Sequence, residues 1–548
     1  MSKISRAEYA ALYGPTIGDR VRLGDTNLVA QIEEDLTHYG DEVRFGRGGS
    51  IRDGMGQCQR QADLVMDTVI TNALVIDFWG VIKADIGLKD GRIAAIGKAG
   101  NPNIQTGADV IIGPGTDIIA GEGHILTAGG VDAMTHFISP AQAEVALMAG
   151  VTTLIGGGTG PSAGSLAAPS TPGPWNIRRM LQAAEGLPVN IGILAKGSGS
   201  LPNPLEEQVR SGAMGLMLHP AWGCAPAAIA RAVEIVDKMD VQLLLQPDTL
   251  NEAGTVAELL AVVGERCVST LHGQRDYQGR DYHGAEEALQ ALGLTHALPL
   301  SVLSPPVSGM GQATRVGALE MLHDLGAISV VASGGQGGGR IGDLIRRTWQ
   351  MAHSMKVRRG HLAPPPFAAD IDREDNDNYR IKRYIAKYGI NPAINHGIAH
   401  EVGSVEVGKL ADLVLWRPAF FGVRPSLVLK GGLIAAAPLG DAGASVPDAQ
   451  PLQYAPMFGV TGAAAPMTCM TFVSQWAFQA GEPQRLDLAR RIGVARDVRQ
   501  LRKIDMIHNF WQPAIEVDAR GTQVHADGML MACELLPDVP LGQRYALF

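Results

Sequence analysis

The chain has 548 residues, 46% of them hydrophobic and 18% charged, the composition of a soluble globular protein long enough for two or three domains and one large core. A net charge of −9 argues against a nucleic-acid partner, because phosphate binding is driven by Lys and Arg. The one basic run, 485–503, reads as a solvated face. No run approaches the roughly 18 consecutive apolar residues of a membrane span, and the opening MSKISRAEYAALYG lacks the apolar core of a signal peptide. A cytoplasmic location without membrane contact is expected. Cys58, Cys224, Cys267, Cys469 and Cys533 lack CxxC spacing, so neither a disulfide framework nor a zinc ribbon is suggested.

In chain order, residues 1 to about 65 are rich in turn signals (GPTIGD, YGDE, GRGGS) and read as short strands and loops. From Ala62 to about Ile118 the pattern alternates and is β-branched, with a hairpin turn at Lys89-Asp90-Gly91. This predicts a small β-sandwich. From Ile125 the rhythm changes to strand-length apolar runs, each followed by a polar or Gly-rich break and a helix-length segment. The runs end at His136, Gly156 to Gly158, Lys196, His219, Gln246, His272, Ser301 to Ser304 and Ser333. Between the fourth and fifth, Ile229, Val233 and Val236 recur at helical spacing. Eight buried parallel strands alternating with helices predict a (β/α)8 TIM barrel. The segment Gly403 to Trp416 returns to strand pattern and is expected to complete the sandwich, making it a composite of N- and C-terminal segments. The expected divisions are 1–124, the barrel at 125–400, the second sandwich segment at 401–480, and an α/β tail at 481–548.

Several stretches identify a family. YGPTIGDRVRLGDTNL, YGDEVRFGRGGSIRDGMGQ, GGGTGPSAG, TPGPWNIRRMLQAAEGLPVNIG, RTWQMAHSMKV, DNDNYRIKRYIAKYGINPAINHGIAHEVGSVEVGKLADLVLW and the terminal QRYALF resemble the catalytic α-subunit of bacterial urease, over nearly the whole chain. The resemblance implies an amidohydrolase-superfamily protein assembled with small β- and γ-type subunits into a trimer of heterotrimers. It also implies two nickel ions held by four histidines, an aspartate and a carbamylated lysine, which acidify a bound water and polarise the urea carbonyl.

Residue by residue, most of that ligand set is absent. The first-strand His-x-His is Met134-Thr135-His136, and a thioether is a poor partner for nickel(II). The bridging lysine falls at Met217, the next histidine at Gln246 and the aspartate at Gly334. Only His136 and His272 keep the pattern. His219, which in the family helps orient the urea oxygen, is present, but Pro220 and Ala221 follow it where the family has an acidic pair. The interval holding the family's flap is shortened to PPVSGMGQATRVGALE, with neither Cys nor His.

The expectation is therefore a urease-like protein without nickel or other cofactor, acting on another small amide or serving as a non-catalytic subunit of a urease-like assembly. The catalytic candidates are His136, Lys196, His219, Asp248 and His272, with Met134, Met217, His219, Gln246 and Gly334 as the substrate-binding wall; the resembled family also has a lysine at the position of Lys196, which favours a structural role for it. A single zinc on His136, His272 and His283 is one alternative, and an active dinickel urease is the other. His396 and His400 read as structural. Gly337 to Gly342 match G-x-G-x-x-G, without the acidic residue a dinucleotide site needs. They are read as space-filling, with an anion pocket at a helix N-terminus as the alternative.

Overall fold

The computed structural model describes residues 4–46, 48–247, 253–272, 289–303, 313–336, 339–363, 376–444, 452–517, 523–533, 536 and 538–542. Eight parallel strands neighbour one another in chain order: Gly130–His136, Val151–Gly157, Asn190–Lys196, Gly215–Leu218, Gln242–Leu245, Val268–His272, Ala297–Val302 and Val330–Ala332. These are barrel strands one to eight. Every strand end expected from the sequence lies at or within two residues of an observed one. Alternation within the strands explains the continuous apolar runs. Leu243 and Leu245 face the helix layer, while Leu244 joins Met217, Leu271 and Leu300 around the barrel axis. The helix Pro226–Met239 starts with proline in its first turn and buries Ile229, Val233 and Val236, the face its spacing predicts.

The seam between strands eight and one is closed by a carboxylate. Asp132 is fully buried. It accepts from Ser333 N at 2.9 Å, Thr135 Oγ1 at 2.6 Å and Met134 N at 3.4 Å, and also from Ser333 Oγ. His136 N donates to Gly335 O at 3.1 Å just above. The first strand's polar end is thereby fixed to the Gly-rich loop after strand eight.

The composite sandwich forms as expected. Strand Ile125–Ala128 pairs in parallel with Thr68–Asp77 on one side and antiparallel with Leu413–Trp416 on the other. The hairpin turn Asp90-Gly91 has both residues at positive φ, 51° and 78°, the two-residue turn whose twist matches its strands. Lys430 and Asp412 of the sandwich form a buried ion pair that also takes Asn190 of barrel strand three, joining sandwich and barrel. The sandwich sheet ends with Gln453–Pro456. Met470–Ser474, inside the 401–480 span, pairs in parallel with barrel strand three, and Arg491–Ala495 pairs with it in turn. The turn-rich N-terminus also holds a helix, Arg6–Tyr13, closed by a Ser5–Glu8 capping box.

Candidate functional site

The polar residues at the C-terminal strand ends form two separate histidine pairs. In the first, His136 Nδ1 lies 2.7 Å from the Ser165 carbonyl. A carbonyl can only accept, so Nδ1 carries the proton and Nε2 keeps its lone pair. His219 has the opposite tautomer. The Ala221 backbone N–H donates to its Nδ1 at 3.1 Å, which leaves the proton on Nε2. Burial lowers the pKa of both, and that of His219 falls to about 4, with the nearby His136 adding to the effect. Near neutral pH the mouth therefore presents one neutral imidazole acceptor and one neutral imidazole donor.

Beside this pair stands Lys196, the last residue of strand three. Its ammonium lies 3.6 Å from the centroid of the Trp222 ring. Trp222 closes the short turn that His219 opens, Pro220–Trp222. Its indole packs on Gly164, where an added Cβ would come within 2.5 Å of Cζ2. Gly164 and Ser165 belong to one short helix, Ala163–Ala167, so a single element positions both the indole and His136. Partial burial lowers the pKa of Lys196.

Of the other expected wall residues, the two methionines are packed as hydrophobic core. Met134 and Met217 are 6% and 1% exposed and sit in one apolar cluster with Leu194, Leu244, Leu271 and Leu300. Gly334 has φ 57°, and an added Cβ would come within 2.5 Å of Val302 Cγ1. At Gly339 an added Cβ would lie 1.8 Å from the Ser333 carbonyl oxygen. Gly334 is thus favoured by its left-handed backbone and the Val302 side chain, and Gly339 by close backbone approach. At the N-terminus of the helix that follows, Leu344–Arg359, the Asp343 carboxylate pairs with Arg346 at 2.7 Å. Gln246 is half-buried, its carbonyl accepting from Cys224 Sγ at 3.4 Å.

His272 belongs to the second pair. Leu271 points to the barrel axis, so by alternation His272 faces the other way, as does Thr270, whose hydroxyl lies 3.0 Å from its Nε2. Its neighbour there is His323, which is 2.6 Å from Ser301 Oγ. Burial lowers His272 to about 3 and His323 well below its usual value. Asp248 and His283 lie outside the described residues, as do 304–312 of the shortened flap interval. His396 is buried, its pKa lowered to about 4. Among the described residues no group of three or more His, Cys, Asp or Glu is gathered closely enough to hold a metal ion.

Sequence reasoning missed Ser165, Gly164 and Trp222. The first two lie within GGGTGPSAG, noted above only as a family motif, and Trp222 is a lone aromatic in a loop, with no periodicity to mark it.

A β/α barrel joined to a composite β-sandwich, with histidines at its C-terminal strand ends, defines the class. The chain belongs to the amidohydrolase family, whose model matches residues 125–443. Within it the chain is urease-like: residues 2–119 match the N-terminal domain of the urease α-subunit. Similar solved structures include a D-hydantoinase (dihydropyrimidinase) from Thermus sp., 16% identical, covering 67% of this chain and 95% of that chain at a TM-score of 0.47. An L-hydantoinase (dihydropyrimidinase) from Arthrobacter aurescens is 16% identical over 68% of this chain and 96% of its own, at a TM-score of 0.46. A D-aminoacylase is 14% identical over 68% and 96%, at 0.47. No helix among the described residues is long and apolar enough to cross a membrane.

Proposed function

We propose that this urease-like amidohydrolase hydrolyses a small linear amide at the barrel mouth without a dinickel centre. The observation that carries the reading is the complementary tautomer pair. His219 Nε2–H donates to the amide carbonyl oxygen as negative charge develops there, and its low pKa keeps it a neutral donor. His136 Nε2 takes a proton from the attacking water and returns it to the departing amine, so ammonia and a carboxylate leave. Nickel does not fit the residues present. Two of its expected ligands are methionines packed among leucines, a third is a glycine pressed against Val302, and His272 faces away from the axis. The same packing argues against a single zinc bridging His136 and His272.

The test is ammonia release from a panel of primary amides, with metal content measured on the same protein. Turnover should survive exhaustive chelation and fall by about 100-fold or more in His136→Ala. kcat/KM should be flat from pH 8 to about 6 and decline toward pH 4 as His219, its pKa lowered to about 4, takes up a proton. Stoichiometric nickel with urea turnover would overturn the reading.

Assembly with separate β- and γ-type subunits belongs to the same proposal. It is supported by the match to the urease α N-terminal domain and by exposed apolar side chains at Leu433, Phe458 and Met467. The proposal places the chain in the cytoplasm, which its scattered cysteines favour.

A further inference from the structure

Lys196 differs from every other described lysine. Lys83 and Lys430 set their ammonium groups against carboxylates, and the buried Lys387 and Lys503 set theirs against backbone carbonyls. The remaining described lysines also pair with oxygen. Lys83 and Lys387 also lie over tyrosine rings, Tyr9 and Tyr384, but each has an oxygen partner as well; Lys196 has its aromatic ring with no carboxylate or carbonyl at its ammonium among the described residues. An indole attracts a cation but carries no net charge, so among the described residues the positive charge at the mouth has no counter-ion.

The backbone of Lys196 and the indole platform are also held in place. The Gln208 side chain donates to the Lys196 carbonyl at 3.0 Å, and the indole beneath the ammonium cannot shift toward Gly164, where even a Cβ would be too close. In register Lys196 pairs with Met217, two residues before His219. Adjacent strands lie about 4.8 Å apart, so an anion on Lys196 and an amide between His136 and His219 fit within one short molecule.

We infer that the substrate of this site is an amide that also bears a carboxylate, which the Lys196 ammonium binds on its Trp222 platform. The chemical class is the monoamide of a short dicarboxylic acid, with one to three carbons between the groups. Urea, neutral and without a second function, leaves this cation unused. The inference rests on the proposed use of the mouth as the substrate site and adds the specificity determinant.

The experiment compares succinamate with butanamide, the same amide without the carboxylate, for turnover and for binding by calorimetry. Wild type should favour succinamate by about 10- to 100-fold, the size of one charge-assisted hydrogen bond. Lys196→Met should erase that preference and Lys196→Arg should restore part of it. Gly164→Ala, which displaces the indole but keeps the charge, should weaken it. If no amide is hydrolysed yet succinamate binds in a Lys196-dependent way, the inference stands and the hydrolase reading fails. Equal handling of the two amides, a preference that survives Lys196→Met, or no binding of succinamate at all overturns the inference.

Discussion

Restoring two of the missing ligands, as Met217→Lys with Gly334→Asp, is expected to destabilise the protein severely without recovering nickel binding. Met217 is 1% exposed among Leu194, Leu244, Leu271 and Leu300. A lysine ammonium there has no partner, and a buried unpaired charge costs about 3–5 kcal/mol. At Gly334 the left-handed backbone is tolerable for aspartate, but its Cβ would lie 2.5 Å from Val302 Cγ1. Relieving that overlap adds about 1–3 kcal/mol. The sum approaches the total stability of an ordinary domain, about 5–15 kcal/mol. Urea-denaturation midpoints of the single and double variants measure the loss, and Val302→Ala should recover the Gly334→Asp part alone. A double variant as stable as wild type, holding two nickel ions per chain, would show that the old cradle is intact.

The barrel was legible because each of its strands is buried on both sides. QLLLQ reads as one apolar run since Leu243 and Leu245 meet helices while Leu244 meets the axis. The strand ends at His136, Lys196 and His219 followed from the same rhythm. The direction a ring faces did not. His136 and His272 both end strands, yet Leu271 occupies the axis and turns His272 toward His323. The Arg6–Tyr13 helix carried a local signal, Ser5 followed by Glu8, which the surrounding turn residues outweighed. Met470–Ser474 carried none, for a short strand acquires its partner only through distant pairing, here Thr471 with Ile191. Trp222 illustrates the same limit at the site. Its role depends on Gly164, from a short helix, and Lys196, from another strand end, and nothing within its own neighbourhood in the sequence indicates either.

Asp132→Ala is expected to open the barrel seam, and Asp132→Asn to leave it closed. The carboxylate accepts from Ser333 N, Ser333 Oγ, Thr135 Oγ1 and Met134 N. Alanine strands these buried donors, and with about 1–3 kcal/mol for each that finds no new partner, the loss should reach about 3–5 kcal/mol. Asparagine keeps one carbonyl oxygen for the backbone donors, while the Ser333 and Thr135 hydroxyls can rotate to accept from its amide. Burial raises the pKa of Asp132 above its ordinary value. The folded state therefore holds that proton more tightly than the unfolded chain, and stability is lost as pH rises through the folded-state pKa. Asparagine removes this term, so at pH 8 its cost should be small, about 1 kcal/mol or less, and wild type should gain on it as pH falls toward 4. Denaturation midpoints of the three proteins across that range decide the matter. If alanine and asparagine prove equally damaging, the charge itself holds strand one to strand eight, and the site's first histidine is fixed by an ionic seam instead of a hydrogen-bonded one.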